Sequence, residues 1–415
     1  MNKSEKTRQA ILITREKRKN QTCKVFEVKI DKSKLSDSKI TKMFSLFREA
    51  KWLYNHCLAQ DDIFLINKVN TVLVMNKDKE LEERPIENLS SQMKQSIIEK
   101  CKQNIINLSK AKKKGISVGR LKFKSEYNSI PLKQFGVTYK IIGCKHIKIQ
   151  GIKGKIRVNG LEQIQESFDI ACGNLIKRNN EFYLYITTFS NKENKQIPSN
   201  GIGIDFGIAT DFTFSNGIKL NTNFDTSKLK RDQQRLSKKK KGSKNHYKQR
   251  NKLRKQYERL DNQKRDVKNK LVSYLKSNFN HIAIQDENIK GWHSSLFGKQ
   301  VQDSILGITL SELKKHDKTF IVDRFVPTTK ACYICGQIQN ILLSERLFVC
   351  DCGLVEDRDV KSAKAILLSS KLFIPTEYRD LKPVEKKTTV DMFNYLNTFI
   401  SHASVNQEAN VFKHW

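Results

Sequence analysis

The stretch that decides the fold of this chain runs from Pro327 to Ile366. It reads PTTKACYICG (327–336), then after a spacer FVCDCG (348–353), then LVEDRDVKSAKAI (354–366). Four cysteines fall in two close pairs, Cys332 with Cys335 and Cys350 with Cys352. A short pair brings two thiolates onto one knuckle, and the spacer lets a second knuckle fold back onto the first. Four thiolates in tetrahedral geometry suit Zn²⁺ better than the other common metals and leave no open position, so the metal would be structural. The second pair is CxC, tighter than the usual CxxC. The competing readings are four buried thiols or a redox pair, and two spaced knuckles favour zinc over both.

Working outward, Asp357 and Asp359 follow the second knuckle and lead into a helix-like run, Ser362 to Leu368. Two further acids stand where apolar strands run out: Asp205 in GIGIDFGIAT (201–210) and Glu287 in HIAIQDENIKGW (281–292). Strand ends are the usual place for site residues in an α/β sheet. Three carboxylates converging from such ends can hold two Mg²⁺ ions for phosphodiester cleavage.

These residues resemble the split RuvC nuclease and zinc ribbon of transposon-encoded TnpB proteins, and equally the miniature type V-F CRISPR effectors. In those families GIDxG gives the first metal carboxylate, an acid after a second strand the next, and DRDxN(A/S)A the third. The resemblance therefore implies Asp205, Glu287 and Asp359 as catalytic Mg²⁺ ligands, with Asp359 rather than Asp357 in the third place; a plain helix cap is the alternative role for Asp359. Two positions depart from the pattern. The commoner form places an acid where Gln285 stands. Side chains alternate along a strand, so Gln285 and Glu287 share a face while Asp286 points away; a QDE subgroup supports Glu287, with Asp286 as the alternative. The family's asparagine is here Lys361, expected to compete for the carboxylates or to contact the scissile strand. The resemblance is strong over Gly201 to Leu368 and extends to the N-terminal half in arrangement alone.

Composition agrees with a nucleic-acid partner. The 415 residues carry 78 Lys+Arg against 43 Asp+Glu, a formal charge of +35. Such an excess points to a polyanion, and the lack of a hydrophobic anchor favours nucleic acid over membrane. Neutralising roughly 6–10 phosphates makes binding about 10³–10⁵-fold weaker between about 50 and 200 mM salt. No stretch approaches the ~18 apolar residues of a membrane span, and the N-terminal residues lack a signal-peptide core. Cys23, Cys57, Cys101, Cys144 and Cys172 are scattered and read as buried free thiols, which fits a reducing cytoplasm.

Taken in order, residues 1–22 read as a mobile basic arm and 23–34 as a first strand with Phe26, Val28 and Ile30 on one face. Residues 35–115 form a helical block: Ile40, Met43, Phe44, Phe47 and Tyr54 share one face after a Ser36 or Ser38 cap, and Met93, Ile97, Cys101, Ile105 and Leu108 another. A polar segment near Asn76–Asn88 has no clear period, and the block ends in Lys112, Lys113 and Lys114. Residues 116–198 are β-rich, with a hairpin from Leu175 to Phe189 closing at Asn179 and Asn180. Tyr127, Tyr139, Tyr183 and Tyr185 are offered either for base stacking or for ordinary strand packing.

From 199 to 330 the pattern is α/β. Gly207 would let a phosphate approach the backbone. Asp225–Asn278 reads as two antiparallel helices with a basic tip at Lys238, Lys239, Lys240 and Lys241, continued by Lys244, Arg250 and Arg254. Its stripe of Leu253, Tyr257, Leu260, Val267 and Leu271 is expected to pack on the core. Val301–Lys315 reads as one helix with Ile305, Ile308 and Leu313 inward, and Phe320–Val322 as a strand. Residues 331–353 are the zinc ribbon, 354–370 the last acidic motif, and 371–415 a tail that matches nothing.

The expected fold class is thus α/β with β-barrel and α-helical parts. It comprises an RNase H-like (RuvC) domain with an inserted zinc ribbon, and an N-terminal oligonucleotide-binding-type barrel interrupted by a helical recognition domain. The resemblance implies an RNA-guided DNA endonuclease with two catalytic Mg²⁺ and one structural Zn²⁺. Its implied partners are a guide RNA, target double-stranded DNA with a short flanking motif, and a second protein copy on one guide. The helical block leans the reading toward a CRISPR effector; transposon TnpB and a nuclease-weakened DNA-binding repressor are the alternatives.

Overall fold

A computed structural model describes residues 3–76, 80–191, 200–342, 345–371, 392, 394–396 and 403–407. The chain divides into two units, Met1–Lys192 and Glu193–Trp415.

The first unit opens with helix α1 (Lys3–Lys19) and strand β1 (Gln21–Ile30). The expected mobile arm is instead a helix, and the strand begins two residues early. Lys, Glu, Arg, Gln and Ala favour helix without needing an apolar stripe. The last turn of α1 is also anchored: Lys17 and Arg18 pair with Asp169, and the Arg18 guanidinium lies 3.7 Å from the Phe189 ring centroid. Next come α2 (Asp37–Leu58), the hairpin β2 (Thr71–Met75) and β3 (Leu81–Pro85), and α3 (Ser91–Lys113). Ser36 and Ser90 cap the two helices, their hydroxyls accepting from the amides of Lys39 and Met93. The hairpin supplies the structure that the polar segment hid. The loop after it is fixed by buried Glu49, whose carboxylate accepts from the amides of Glu87, Asn88 and Leu89.

Strands β4 (Ser129–Leu132), β5 (Tyr139–Ile142), β6 (His146–Ile149), β7 (Ile156–Asn159), β8 (Asp169–Arg178) and β9 (Glu181–Asn191) complete a seven-stranded sheet in the order β4-β8-β9-β1-β7-β6-β5. Asn179 (φ 49°) and Asn180 (φ 65°) make the β8–β9 turn, as the positive φ pair of a tight hairpin requires. The sheet is nearly closed and barrel-like. Tyr139, on the β5 edge, donates its hydroxyl to the Ala171 carbonyl of β8 at 3.0 Å. Its ring rests on Gly173, where an added Cβ would come within 3.1 Å of it. A bulge between Ile170 and Gly173 bends β8 toward that contact. One core joins Val28, Ile30, Phe182, Leu184 and Ile186 of the sheet to Met43, Phe47, Tyr54, Met93 and Ile97 of the helices.

This packing answers the tyrosine question. Tyr127, Tyr139 and Tyr183 are buried in the core rather than presented for stacking, Tyr127 against Tyr54 of α2, and the Tyr185 hydroxyl donates to Glu27 at 2.7 Å. Of the five scattered cysteines, Cys57 and Cys101 are buried as expected, whereas Cys23, Cys144 and Cys172 are exposed.

The second unit starts with β10 (Gly201–Phe206), β11 (Phe212–Phe214) and β12 (Ile218–Thr222) as an antiparallel meander. Then come α4 (Ser227–Ser237), α5 (Lys244–Asn278), β13 (His281–Gln285), α6 (Ile289–Trp292), α7 (Gly298–Asp303), α8 (Leu306–Leu313) and β14 (Thr319–Val322). The ribbon hairpin β15 (Leu347–Val349) and β16 (Val355–Asp357), helix α9 (Arg358–Lys371) and β17 (Ala403–Gln407) follow. The main sheet runs β14-β13-β10-β11-β12-β17, with β13 parallel to both β10 and β14. Counting within the unit, its first five strands lie in the order 5-4-1-2-3.

Several local expectations change here. The tail contributes β17, paired antiparallel with β12, and Met392 and Leu396 are buried in the core of the unit. Val301–Lys315 is broken at Ser304 into α7 and α8, and Ile308 is exposed while Ile305 and Leu313 are buried. Helices α4 and α5 do form an antiparallel-type hairpin with Lys238–Lys241 in the turn, sealed by Leu229, Leu253 and Leu260. Tyr257, however, is exposed, and its hydroxyl is held by Gln233. A Cβ on Gly207 would strike the Thr210 carbonyl at 2.7 Å. That glycine therefore serves its own tight turn, which accounts for it without any approaching phosphate.

Candidate metal centres

The four cysteines converge. Their sulfurs all lie within 4.8 Å of one another, with Cys332 Sγ 3.6 Å from Cys352 Sγ and Cys335 Sγ 3.5 Å from Cys350 Sγ. Two knuckles of matching design hold them. In the first, the Cys332 amide donates to the Gln337 carbonyl and the Gly336 amide to the Cys332 carbonyl, both at 2.9 Å. In the second, the Cys350 amide donates to the Leu354 carbonyl and the Gly353 amide to the Cys350 carbonyl, again at 2.9 Å. Gly336 (φ 77°) and Gly353 (φ 90°) supply the left-handed residue that each closure needs. The CxC pair is thus the same knuckle with one residue fewer. Burial raises the Cys332 thiol, but the amides of Cys335 and Ile334 together with the thiols of Cys352 and Cys335 outweigh it and bring the group down to about 7. Four sulfurs in this cage fit a zinc ribbon.

The acids lie at the end of the main sheet. Asp205 is the fifth residue of β10. Helix α9 crosses β10 so closely that the Ala363 carbonyl sits where any side chain on Gly203 would go. This brings Ser362 Oγ to donate to Asp205 Oδ1 at 3.4 Å. Burial, then the charges of Asp359 and Glu287, push the Asp205 carboxyl up to about 8. Those two neighbours are the acids that the sequence pairs with it. Glu287, two residues past the end of β13, is half-buried, and burial raises its carboxyl too. The N-terminus of α9 is capped by Asp357, which accepts from the amides of Asp359 (3.1 Å) and Val360 (3.0 Å) and pairs with Lys219. Asp359 is thereby freed of capping and pairs with Arg346 (3.5 Å) and Arg358 (3.4 Å). These guanidiniums supply the charge compensation that a cation would. Among the described residues the cysteines are the group whose ligand atoms all meet within 4.8 Å; the three carboxylates share a field without that spacing.

Asp286 is engaged elsewhere. It forms ion pairs with Lys314 and Arg324, which hold its carboxyl below the usual range. Lys361 overturns its expectation. It is fully buried, and its ammonium is taken up by the ribbon base, donating to the carbonyls of Thr328 (3.0 Å), Thr329 (2.7 Å) and Ala331 (2.8 Å) while still feeling the charge of Asp205. Asp359 and Lys361 are two residues apart on a helix and so face opposite ways. Gly203, Ser362 and the Arg346–Asp359 pair were not singled out from sequence. Gly203 alone carried a signal, as a small residue in the middle of a buried strand.

The basic residues are where the sequence puts them on the chain. Lys112 and Lys113 end α3, Lys114 follows it, and all three are exposed, as are Lys238–Lys241 and Lys244. Arg250 and Arg254 lie half-buried on α5. Asp232, buried on α4, binds Gln249 and Lys252 of α5 and so stiffens the hairpin behind the tip. A concavity of about 510 Å³ whose lining includes Lys100, Lys122, Lys124, Glu126 and Tyr127 was not singled out from the sequence. Among the described residues no helix is long and apolar enough to cross a membrane.

The chain is thus a mixed α/β protein with a barrel-like sheet, four cysteines that fit a zinc ribbon, and half-buried acids at the end of its second main sheet. Residues 184–295 match the family model described as "Probable transposase", and residues 309–366 match that described as "Cas12f1-like, TNB domain". Over these parts the chain is TnpB/Cas12f-like. A Streptomyces pristinaespiralis protein named "Putative RNA-guided DNA endonuclease" is 30% identical over 177 residues, covering 40% of this chain and 44% of that one. A Paramecium bursaria Chlorella virus 1 protein named "Putative transposase A625R" is 51% identical over 41 residues, 10% of each. The chain thus spans less than half the length of either relative.

Proposed function

We propose that this chain is an RNA-guided DNA endonuclease whose second unit is an RNase H-like (RuvC) nuclease domain. The observation that carries this is the half-buried Asp205 carboxyl at the end of a sheet ordered 5-4-1-2-3, raised first by desolvation and then by the neighbouring charges of Asp359 and Glu287. Acids pressed together in this way are stabilised by a cation more than by water. Asp205, Glu287 and Asp359 would hold two Mg²⁺ ions, which when bound activate a water and stabilise the leaving 3′ oxygen. The chain's own groups prepare that site. Ser362 orients Asp205, Asp357 keeps Asp359 out of the helix cap, and the exposed lysines of the α4–α5 tip face the phosphate backbone. The ribbon thiols would hold one structural Zn²⁺.

Guide RNA and target DNA with a flanking motif are the partners in this reading, with base pairing supplying sequence specificity. The helical block of the first unit leans this reading toward a miniature CRISPR effector, and the resemblance to that group implies a pair of copies on one guide in the bacterial cytoplasm. The match to a "Probable transposase" model favours a transposon-encoded setting as the second reading. Sequencing the RNA that co-purifies from the native locus separates them: repeat–spacer RNA supports the first, RNA from a transposon end the second. The chemistry itself is tested by Asp205→Ala, which should abolish Mg²⁺-dependent cleavage while nucleic-acid binding persists. Cleavage at the wild-type rate would remove Asp205 from the site.

A further inference from the structure

Gln285 and Lys361, the two positions that depart from the family pattern, converge on one residue. The Thr328 hydroxyl donates to Gln285 Oε1 at 2.8 Å, and the Thr328 carbonyl accepts from Lys361 Nζ at 3.0 Å. Gln285 Nε2 also donates to the carbonyls of Asp323 (3.1 Å) and Val326 (2.9 Å). Lys361 also reaches the carbonyls of Thr329 and Ala331, and its ammonium lies 4.0 Å from the Phe348 ring centroid. Three carbonyls match the three N–H donors of an ammonium; an asparagine at this position offers two donors on a shorter arm. Gln285, Thr328, Phe348 and Lys361 are all buried, so these bonds are shielded from water.

Placement gives the network its consequence. Gln285 stands two residues before Glu287, and Lys361 two residues after Asp359. Ala331 directly precedes Cys332, and Phe348 lies two residues before Cys350. The atoms that seat the ribbon base are therefore on the same short segments that carry two of the three acids. Seating of the ribbon and placement of the acids are mechanically one event.

We propose that the Gln285–Thr328–Lys361 clamp makes the acid site depend on the zinc ribbon, with Lys361 as a positioning residue that holds α9, and with it Asp359, in place. This rests on reading Asp205, Glu287 and Asp359 as a divalent-cation site. Partners one shell out from a metal typically change affinity or activity by about 10–100-fold when removed.

The test uses the full chain with Lys361→Met and, as a milder change, Thr328→Val. Mn²⁺ affinity is read by electron paramagnetic resonance without nucleic acid, zinc release by a colorimetric chelator, and cleavage as kcat and KM for target DNA. Lys361→Met should release zinc at least about tenfold faster, weaken Mn²⁺ binding about tenfold and lower kcat with KM unchanged. Lys361→Arg, which keeps the buried cation, should recover part of each loss. Should Lys361→Met fail to fold, wild-type chain stripped of zinc serves instead, and retained Mn²⁺ affinity there overturns the clamp. Unchanged Mn²⁺ affinity in folded Lys361→Met overturns this inference alone, provided Asp205→Asn abolishes the same Mn²⁺ binding. If Asp205→Asn leaves Mn²⁺ binding untouched, the acid-site reading falls and the clamp's function falls with it.

Discussion

Gly203 and Ala363 are in backbone contact: the Ala363 carbonyl of α9 fills the space that a Cβ on Gly203 of β10 would need. A second atom, Leu367 Cβ, lies 2.9 Å from the same position. This approach seats Ser362 against Asp205. Both obstructions are rigid, one backbone and one the root of a side chain, so the helix must lift to admit a methyl group. Gly203→Ala should therefore destabilise the protein by about 1–3 kcal/mol through overpacking. It should also lower cleavage more than nucleic-acid binding. A denaturant midpoint that does not move would show that α9 is free to slide.

The Asp205 carboxyl gives a pH prediction with a definite sign. Its folded value, about 8, lies above the ordinary 3.8. The folded chain therefore binds the extra proton, and stability falls as pH rises through that interval. Without divalent cation, melting should drop between about pH 4 and pH 8, and Asp205→Asn should flatten that dependence and melt higher than wild type at pH 8 and above. Adding Mn²⁺ or Mg²⁺ should raise wild-type melting at high pH and leave Asp205→Asn unmoved. Parallel melting curves for the two proteins across this range would mean that the carboxyl is not held against charge.

What the sequence disclosed and what it hid divide along physical lines. The cysteine pairs, the hairpin turn at Asn179–Asn180 and the basic tip at Lys238–Lys241 are set by neighbours a few residues apart, so spacing and alternation reveal them. The strand ends that carry Asp205 and Glu287 are visible for the same reason. The destination of Lys361 is not local: the acceptors that take up its three donors belong to Thr328, Thr329 and Ala331, some thirty positions earlier. Tyr127 and Tyr139 could be read either for stacking or for packing, and only the folded contacts with Tyr54 and with Ala171 and Gly173 decide for packing. Strand β17 and buried Met392 join the second unit across long sequence separations, which no window on the tail reports. Helix α1 escaped notice because its residues favour helix by propensity while lacking the apolar period by which helices are recognised.

Zinc removal gives the third prediction. The Phe348 ring, buried with Cys332 and Cys350 in a small separate cluster, is too little core to hold the ribbon unaided. Bound zinc would supply the missing folding energy, on the order of 10–16 kcal/mol in zinc-finger peptides. Cys350→Ser should cut bound zinc well below one per chain. Amide exchange should then accelerate across residues 331–357, while the β8–β9 hairpin of the first unit keeps its protection. Slow exchange in the ribbon after verified zinc loss would show that the thiols fold without metal.

The last prediction concerns the tip between α4 and α5. Lys238, Lys239, Lys240 and Lys241 are exposed, and on a solvated face such charges add little to stability. The hairpin is held independently by Asp232 with Gln249 and Lys252, and by Leu229, Leu253 and Leu260. Replacing the four lysines with alanine should accordingly leave melting within about 0.5 kcal/mol of wild type. Binding to duplex DNA is another matter. Each neutralised phosphate adds about 0.9 to the slope of log affinity against log salt, so the fourfold variant should lose up to about 3–4 from that slope. The loss of affinity should be largest at low salt and shrink as salt rises, because the missing interaction is counterion release. A variant with the wild-type slope would mean that the tip faces solvent in the complex, and that the charge on α5 or in the first unit carries the backbone.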